Sequence, residues 1–387
     1  MPRLDSVRDK RNITGASRNG FNRTAGRQRS GLNVSKEAGG GRWGHIYSAL
    51  DLGTNNCRLL VAKPDKKGFR VIDSFSRIVR LGEGLDHSGE LSPAAMDRAM
   101  EALSICAAKM RKRGVTLDRC VATEACRKAS NGAEFINRVR EETGLELDII
   151  TPNEEAKLAV AGCWPLVDQD CDAALVFDIG GGSTELIWLD LEHKPTGNVP
   201  VTIKAWTSIP IGVISLAERF GGHDIPSEVY QTMVDFVVPH LAEFARELGP
   251  FDKTRPFHMV GTSGTVTTIA GIHLELRRYD RRRVDGKWIT FDNVMTVADR
   301  LSKMDFEARV AEPCVGRERA DLVVAGCAIL EAINRYWPCE RLRVADRGLR
   351  EGMLLALMET ADRLNYPANE DAEISVGTHL TVPASAS

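Results

Sequence analysis

From about residue 45 onward, the chain alternates short apolar runs with longer amphipathic stretches. The short runs, such as 46–52 and 174–179, have the length and composition of β-strands, and each is followed by a glycine. The longer stretches predict helices. The one from Ser92 to about Arg113 begins with a good N-cap residue and a proline at the first helical position. Such alternation predicts an α/β protein.

The remaining elements continue this alternation. A strand is expected from Phe69 to Arg80, and Asn153 is expected to cap a helix with Glu154 and Glu155 in its first turn. Further helices are predicted at 132–143, 228–247, 266–276, 319–336 and 349–363, and further strands begin near 57, 120, 147, 257 and 342.

Two segments of the chain resemble each other. DLGTNNCRLL (51–60) and DIGGGSTELI (178–187) both contain an acid, an aliphatic residue, glycine, small polar residues and a second apolar run. Two such strand–turn–strand units predict a duplicated fold with a cleft between its halves. We predict domain I at 45–167 and domain II at 168–348. The helix 349–365 is expected to close the chain by packing back on domain I.

The two ends differ from this middle. Residues 1–44 carry ten Lys and Arg against three Asp and Glu, with few aliphatic residues, which predicts a disordered basic arm. An organellar transit peptide is the alternative, whereas the lack of an apolar core segment excludes a secretory signal. Residues 366–387 are polar and predict a flexible tail.

Composition narrows the functional classes. A net charge of −2 gives no reason to expect specific nucleic-acid binding, and no apolar stretch is long enough to cross a membrane. Nine cysteines without a CxxC pair are typical of reduced thiols in a cytosolic protein. The eight histidines show no metal-ligand spacing, and no serine-hydrolase or kinase motif is present, so a zinc hydrolase or a catalytic triad has little support.

Four turns with small residues follow predicted strands, at 51–55, 178–184, 261–265 and 346–348. Glycine permits positive φ and close approach of a ligand, and successive backbone N–H groups together with hydroxyls suit phosphate oxygens. Any one such turn is more often only a tight turn, but four in one chain favour a phosphate site. No P-loop motif is present.

Several charged residues have two possible roles. Asp51, Asp178 and Glu185 flank the turns and suit a hard cation such as Mg²⁺, although Asp is also common in turns. Glu155 is either catalytic or, like Glu154, a first-turn acid that complements the helix dipole. Arg127 is either a phosphate clamp or a surface arginine.

Six ordered motifs resemble the exopolyphosphatase/guanosine pentaphosphate phosphohydrolase (Ppx/GppA) family across about residues 45 to 363. They are ALDLGTNNCRLLVA (49–62), VATEACRKASNG (121–132), ITPNEEAKLA (150–159), VFDIGGGSTEL (176–186), VGTSGTVTTIAG (260–271) and VADRGLREGM (344–353).

The resemblance implies a fold and a reaction. The fold is α/β, with two domains of the actin-like ATPase and sugar-kinase (ribonuclease H-like) type and an active site in the cleft between them. The reaction is attack of water on a terminal phosphoanhydride, assisted by Mg²⁺ or Mn²⁺. Glu155 is implied as the catalytic carboxylate and Glu185 as the second functional acid, with Asp178 and Glu185 near the metal.

The implied substrates are inorganic polyphosphate and the stringent-response alarmone pppGpp, and a homodimer is possible. The implied phosphate-binding residues are Asp51, Gly53, Thr54, Asn55, Arg58, Arg127, Gly180, Gly181, Gly182, Ser183, Thr184, Ser263, Gly264 and Thr265.

Two features depart from the family pattern. Longer members carry an extra C-terminal helical region with a His-Asp motif, whereas the only histidine after His273 here is His379, so we expect a weaker grip on long polymers. Val284-Asp285-Gly286 replaces a Val-His-Gly-like turn. The alternatives are a kinase-like or ATPase member of the same fold, and a protein that only senses polyphosphate or alarmone.

Overall fold

The computed structural model describes residues 41–66, 68–191 and 202–365. The strands are β1 (Tyr47–Leu52), β2 (Asn56–Asp65), β3 (Gly68–Ile78), β4 (Leu117–Ala122), β5 (Leu147–Ile149), β6 (Ala173–Ile179), β7 (Thr184–Asp190), β8 (Thr202–Ile209), β9 (Phe257–Thr262), β10 (Trp288–Thr290) and β11 (Arg341–Ala345).

The helices alternate with these strands, and two 3-10 turns lie at Gly41–Gly44 and Trp164–Leu166. The α-helices are α1 (Leu85–Ser88), α2 (Pro93–Arg113), α3 (Glu124–Lys128), α4 (Gly132–Thr143), α5 (Pro152–Cys163), α6 (Val213–Phe220), α7 (Ser227–Leu248), α8 (Gly264–His273), α9 (Arg281–Val284), α10 (Phe291–Ser302), α11 (Phe306–Ala311), α12 (Val323–Tyr336) and α13 (Leu349–Asn365). Among helices of the described ranges, none is both long and apolar enough to cross a membrane.

The strands form two mixed sheets with the same plan. The first sheet has the order β3-β2-β1-β4-β5 and the second β10-β11-β9-β6-β7-β8. In each sheet a strand pairs antiparallel with the next one, β1 with β2 and β6 with β7, and parallel with a later strand, β4 or β9. The predicted duplication is therefore confirmed in the topology.

Each sheet buries both of its faces. One face of the first sheet packs on α2 and α4 through residues such as Leu59 and Leu103, and its other face packs on α13 through Leu60 and Met353. The second sheet has a large core on one side, to which Phe177 and Val324 belong.

Helix α5 contributes to the cores of both sheets. Val160 packs with Val176 of the second sheet, whereas Leu158 packs with Met353 of α13 beneath the first sheet. Glycines allow α5 and α13 to approach this closely, because a Cβ at Gly162 would overlap the carbonyl oxygen of Gly348. A Cβ at Gly352 would likewise overlap that of Leu158. The first turns of both helices are thereby held beside the gap between the sheets.

The structure corrects some expected boundaries. Ordered chain includes Gly41–Gly44, since the Arg42 Nε atom donates to Asp362 Oδ2 at 2.6 Å, so the expected arm at 1–44 is too long. Residues 1–40 of the arm and the tail at 366–387 lie outside the described residues. Helix α12 begins at Val323 rather than 319. The domain bounds at 167/168 and 348/349 remain a prediction.

Candidate active site

The parallel strands of both sheets end at one cavity of about 500 Å³. Ligand sites of open α/β sheets commonly lie at the carboxyl ends of the strands, and here β1, β4, β6, β9 and β11 each contribute the residues that follow them. The cavity is lined by most of the residues predicted from the sequence: Asp51, Gly53, Thr54, Asn55, Arg58, Glu155, Asp178, Gly180, Gly181, Ser183, Glu185, Ser263, Gly264 and Thr265.

Three predicted residues do not line this cavity. The Thr184 hydroxyl donates to the carbonyl oxygen of Ile211 at 2.7 Å, and Gly182 packs instead against Thr54 and Glu124. The Arg127 guanidinium lies against the carboxylates of Glu124 and Glu155, which themselves line the cavity. Phosphate contacts for Gly182, Thr184 and Arg127 stay a prediction.

The glycines of the 180–182 turn are required by packing. None of them has a positive φ, so this turn does not use the left-handed conformation that glycine permits. A Cβ at Gly181 would lie 3.0 Å from the Thr54 Cβ atom and 3.0 Å from the Asn55 backbone nitrogen. A Cβ at Gly212 would overlap the backbone of Gly181. The glycines thus allow the two hairpin turns to touch.

The two hairpins carry equivalent rows of side chains, of which all but Ser208 line the cavity. In the first sheet, Asp51 is in register with Arg58, and Arg58 with Ser76. In the second sheet, Asp178 is in register with Glu185, and Glu185 with Ser208. Residues in register share a face of the sheet, so each row is contiguous. The rows differ at their middle position, which is Arg58 in the first sheet and Glu185 in the second.

The acids of the site are buried. Burial, reinforced by Glu185, raises the pKa of Asp178 to about 8. Burial also raises the pKa of Glu185, although hydrogen bonds to its Oε1 atom from the Ser183 hydroxyl (2.7 Å) and the Ser208 hydroxyl (2.8 Å) oppose this. Burial raises the pKa of Asp51, with Arg58 opposing. These carboxylates therefore favour a bound cation or proton.

Glu155 and its neighbour Glu154 have separate surroundings. Thr151 caps α5 by accepting a hydrogen bond from the Glu154 backbone N–H, so the expected cap at Asn153 is wrong. The Glu154 side chain pairs with Arg119 at 2.5 Å, away from the cavity lining, and is 39% exposed. The Glu155 side chain is 15% exposed and lines the cavity.

Arg127 holds Glu155 in place. Its Nη1 and Nη2 atoms both lie 3.3 Å from Glu155 Oε2, its Nη1 atom donates to the Ile150 carbonyl oxygen at 2.6 Å, and its Nη2 atom donates to Glu124 at 2.7 Å. Burial and the charge of Glu185 raise the pKa of Glu155 well above its usual value, and the Arg127 charge opposes that shift.

Asp178 and Glu185 fit a hard cation. They are in register across the hairpin, and both offer oxygen ligands. Over the described ranges, no group of three or more His, Cys, Asp or Glu residues is placed to hold a metal by itself. Mg²⁺ is commonly bound by one or two carboxylates together with substrate phosphates and water, and this donor set suits that mode.

Cationic side chains that the sequence analysis did not assign form another part of the lining. Arg319 and Arg350 join Arg58 in the cavity, and none of the three forms an ion pair with any described residue. Burial lowers the pKa of both Arg319 and Arg350, and the charge of Arg58 lowers it further. Arg350 falls in the VADRGLREGM motif, whereas no local pattern points to Arg319.

The turn between β11 and α13 is fixed by a polar network. Arg281 donates to the Asp346 carbonyl oxygen at 2.5 Å and to Glu351 at 2.6 Å, and Glu351 accepts from the Gly348 N–H at 2.9 Å. Asp285, the residue that departs from the family pattern, accepts from the Asp346 N–H at 3.0 Å and pairs with Arg347. Asp285 thus has a structural place in this turn.

Comparison with known proteins identifies proteins that are similar to this chain. The model of the Ppx/GppA phosphatase family matches residues 60–361. Exopolyphosphatase 2 of Mycobacterium tuberculosis is 28% identical over 323 residues, which cover 80% of this chain and 98% of that protein. A bifunctional 3-dehydroquinate synthase/phosphatase of Fusobacterium nucleatum is 27% identical over 337 residues, 81% of this chain, and the chain spans 47% of its length.

Solved structures agree with the fold. An exopolyphosphatase of Cytophaga hutchinsonii has a TM-score of 0.73 at 23% identity, covering 81% of this chain and 98% of that one. A PPX-GPPA enzyme of Aquifex aeolicus has a TM-score of 0.64 at 29% identity, covering 81% and 99%. The predicted α/β fold with two sheets beside a cleft is confirmed.

Proposed function

Because the chain belongs to the Ppx/GppA phosphatase family, we propose that it hydrolyses the terminal phosphoanhydride of inorganic polyphosphate and releases orthophosphate. Guanosine pentaphosphate, which ends in the same chemical group, is the second proposed substrate. Exopolyphosphatases among the similar proteins support this choice of substrate class.

One observation carries the proposal: three half-buried guanidiniums without ion pairs to described residues share a cavity with carboxylates. Arg58, Arg319 and Arg350 favour a bound anion, because partly burying a charge without an ion pair is costly. A multiply charged phosphate chain would provide such an anion.

Glu155 is proposed to accept the proton of the attacking water. The water oxygen bonds to the terminal phosphorus, its proton passes to the Glu155 carboxylate, and the bridging oxygen leaves with the shortened chain. A raised pKa makes Glu155 a stronger base near neutral pH, and Arg127 fixes its orientation.

Asp178 and Glu185 are proposed to hold Mg²⁺ or Mn²⁺. Such an ion would neutralise charge on the phosphate oxygens. The two serines that donate to Glu185 Oε1 orient that carboxylate and make no hydrogen bond to Oε2. The residues thus fit an ion shared between the protein and the substrate. Cytosolic location and a homodimer stay predictions.

Phosphate release tests the proposal directly. The purified protein is given short polyphosphate, guanosine pentaphosphate and ATP with Mg²⁺, and orthophosphate is measured with malachite green. We expect release from the first two, and loss of release when EDTA removes the metal. ATP consumed only in the presence of an acceptor would indicate a kinase, and binding without release would indicate a sensor.

The arginines provide a matched test of the observation behind the proposal. Arg350→Gln removes a buried charge without changing the carboxylates, and we expect KM for polyphosphate to rise about tenfold or more, as for a hydrogen bond to a charged group. Arg282→Gln is the control, because the Arg282 side chain is 94% exposed. Equal KM values for both variants would contradict phosphate binding by these arginines.

A further inference from the structure

Tyr279 differs from the other exposed large apolar side chains of the described residues, because it lines the cavity. It is 37% exposed. The others, Trp43, Val71, Ile149 and Leu364, do not line it. An aromatic ring that is partly open to solvent at a ligand cavity is suited to contact the ligand.

The hydroxyl of Tyr279 is hydrogen bonded within the protein. The hydroxyl donates to a carboxylate oxygen of Asp346, whose backbone carbonyl is held in turn by Arg281. Burial and the charge of Asp346 raise the pKa of Tyr279, so the hydroxyl stays protonated. With the hydroxyl engaged, the ring offers its apolar face to a ligand.

Tyr279 shares one cavity with the arginines and the acids. Arg58 is in register with Asp51 on the first hairpin, whereas the Tyr279 hydroxyl contacts Asp346 on the turn between β11 and α13. The ring and the hairpin acids are thus carried by different elements around the cavity. A phosphate chain whose terminal group lies at the acids has the arginines and the ring of Tyr279 in the same cavity to contact.

We infer that Tyr279 is a specificity-determining residue that stacks on the base of a nucleoside oligophosphate. This inference rests on the proposed function, since it places the terminal phosphate at Glu155. Stacking of a base on an aromatic side chain changes affinity by about 5-fold to 150-fold. An inorganic chain offers no ring and gains nothing from Tyr279.

A purely structural role makes a different prediction. If Tyr279 only anchors the turn that carries Asp346, its loss would disturb Arg350 and Glu351 just beyond that turn. Inorganic and nucleoside substrates would then be affected equally, because both need the same phosphate contacts. The ratio of the two affinities thus separates the roles.

The test compares Tyr279→Leu with Tyr279→Phe. Phe keeps the ring face and loses the hydroxyl, whereas Leu loses the ring face. Each variant is made alone for kinetics, and also combined with Glu155→Gln so that calorimetry measures Kd for ligands that are not consumed. The two ligands are guanosine pentaphosphate and inorganic tripolyphosphate.

We expect Leu to weaken guanosine pentaphosphate binding by about 5-fold or more relative to tripolyphosphate, and Phe to keep the wild-type ratio within about twofold. An unchanged ratio in the Leu variant, or a ratio lost in the Phe variant, overturns the inference. So does a parent protein that binds both ligands equally, even when polyphosphate hydrolysis itself is observed. If no substrate is hydrolysed, the proposed function fails while the Kd ratio still decides the role of Tyr279.

Discussion

His258 shows how a single buried residue ties stability to pH. It is fully buried at the start of β9, and its Nε2 atom accepts a hydrogen bond from the Asp168 backbone N–H at 3.1 Å. Burial lowers the pKa of His258 from 6.5 to about 4. The folded protein therefore disfavours the protonated ring.

The sign of the resulting pH dependence follows from linkage. Below pH 6.5 His258 becomes protonated in the unfolded chain but stays neutral in the folded chain. His258 therefore lowers the free energy of unfolding progressively as pH falls from 6.5 to 4. The loss amounts to about 3 kcal/mol at most. His258→Gln should remove this contribution to the pH dependence of stability. Urea unfolding at pH 7.5 and 4.5 measures it, and an equal loss in wild type and variant would contradict the assignment.

Residues of the site differ in how well sequence predicts them. Glu155 and Glu185 lie in motifs whose family resemblance assigns them a role. Arg319 has no such signal, because it lies before α12 and reaches the cavity through tertiary contacts such as its hydrogen bond to Thr268 of α8. The glycines at 181 and 182 were identified, but their close contacts with Thr54 depend on a second hairpin that lies far away in sequence.

Helices α5 and α13 carry Glu155 and Arg350 on their first turns, and the two helices pack closely at Gly162 and Gly352. Gly162→Ala and Gly352→Ala would each drive a Cβ into a backbone oxygen that cannot move without its helix. We expect the free energy of unfolding to fall by about 1–3 kcal/mol or more, and kcat to fall as well, because Glu155 and Arg350 shift.

Gly44→Ala is the matched control for these two variants. A Cβ there meets no atom within 4 Å, and Gly44 has no positive φ. Chemical denaturation and phosphate release measure both effects. Wild-type stability in Gly162→Ala would show that the two helices do not need this close crossing.

Most elements were predictable, because their apolar periods and caps are local signals. The start of α5 was misplaced although Thr151-Pro152-Asn153-Glu154 has the form of a capping box, with threonine three residues before glutamate. Short elements such as β10 and α9 have too few residues to show a period. Contacts with the rest of the fold define them.

Contacts at the scale of the whole molecule hold the two sheets together over the cleft. Arg80, after β3, pairs with Asp321 through two hydrogen bonds of 2.7 and 2.9 Å. The Gly84 N–H donates to the Glu218 carboxylate at 2.9 Å. These contacts lie near the point where the two hairpin turns touch, and we expect them to favour closure of the two sheets over the cavity.

Arg80→Met should therefore weaken closure. The two side chains are 28% and 18% exposed, so the pair contributes modestly, and we expect kcat/KM to fall between about threefold and tenfold. Arg317→Met is the control, because its pair with Glu307 is 66% and 70% exposed. Activity that is equal in both variants would show that this pair does not affect closure.

The most direct test of the account compares Glu155→Gln with Glu154→Gln for phosphate release from short polyphosphate. Gln keeps size and hydrogen bonding but cannot take the proton, and loss of a general base costs about 10²–10⁴ in rate. For Glu155→Gln we predict that kcat falls by this factor while substrate binding is retained. For Glu154→Gln, whose native side chain pairs with Arg119 away from the cavity, we predict a kcat near that of the wild type. Near wild-type turnover in both folded variants would contradict the account and return Glu155 to the role of a first-turn acid.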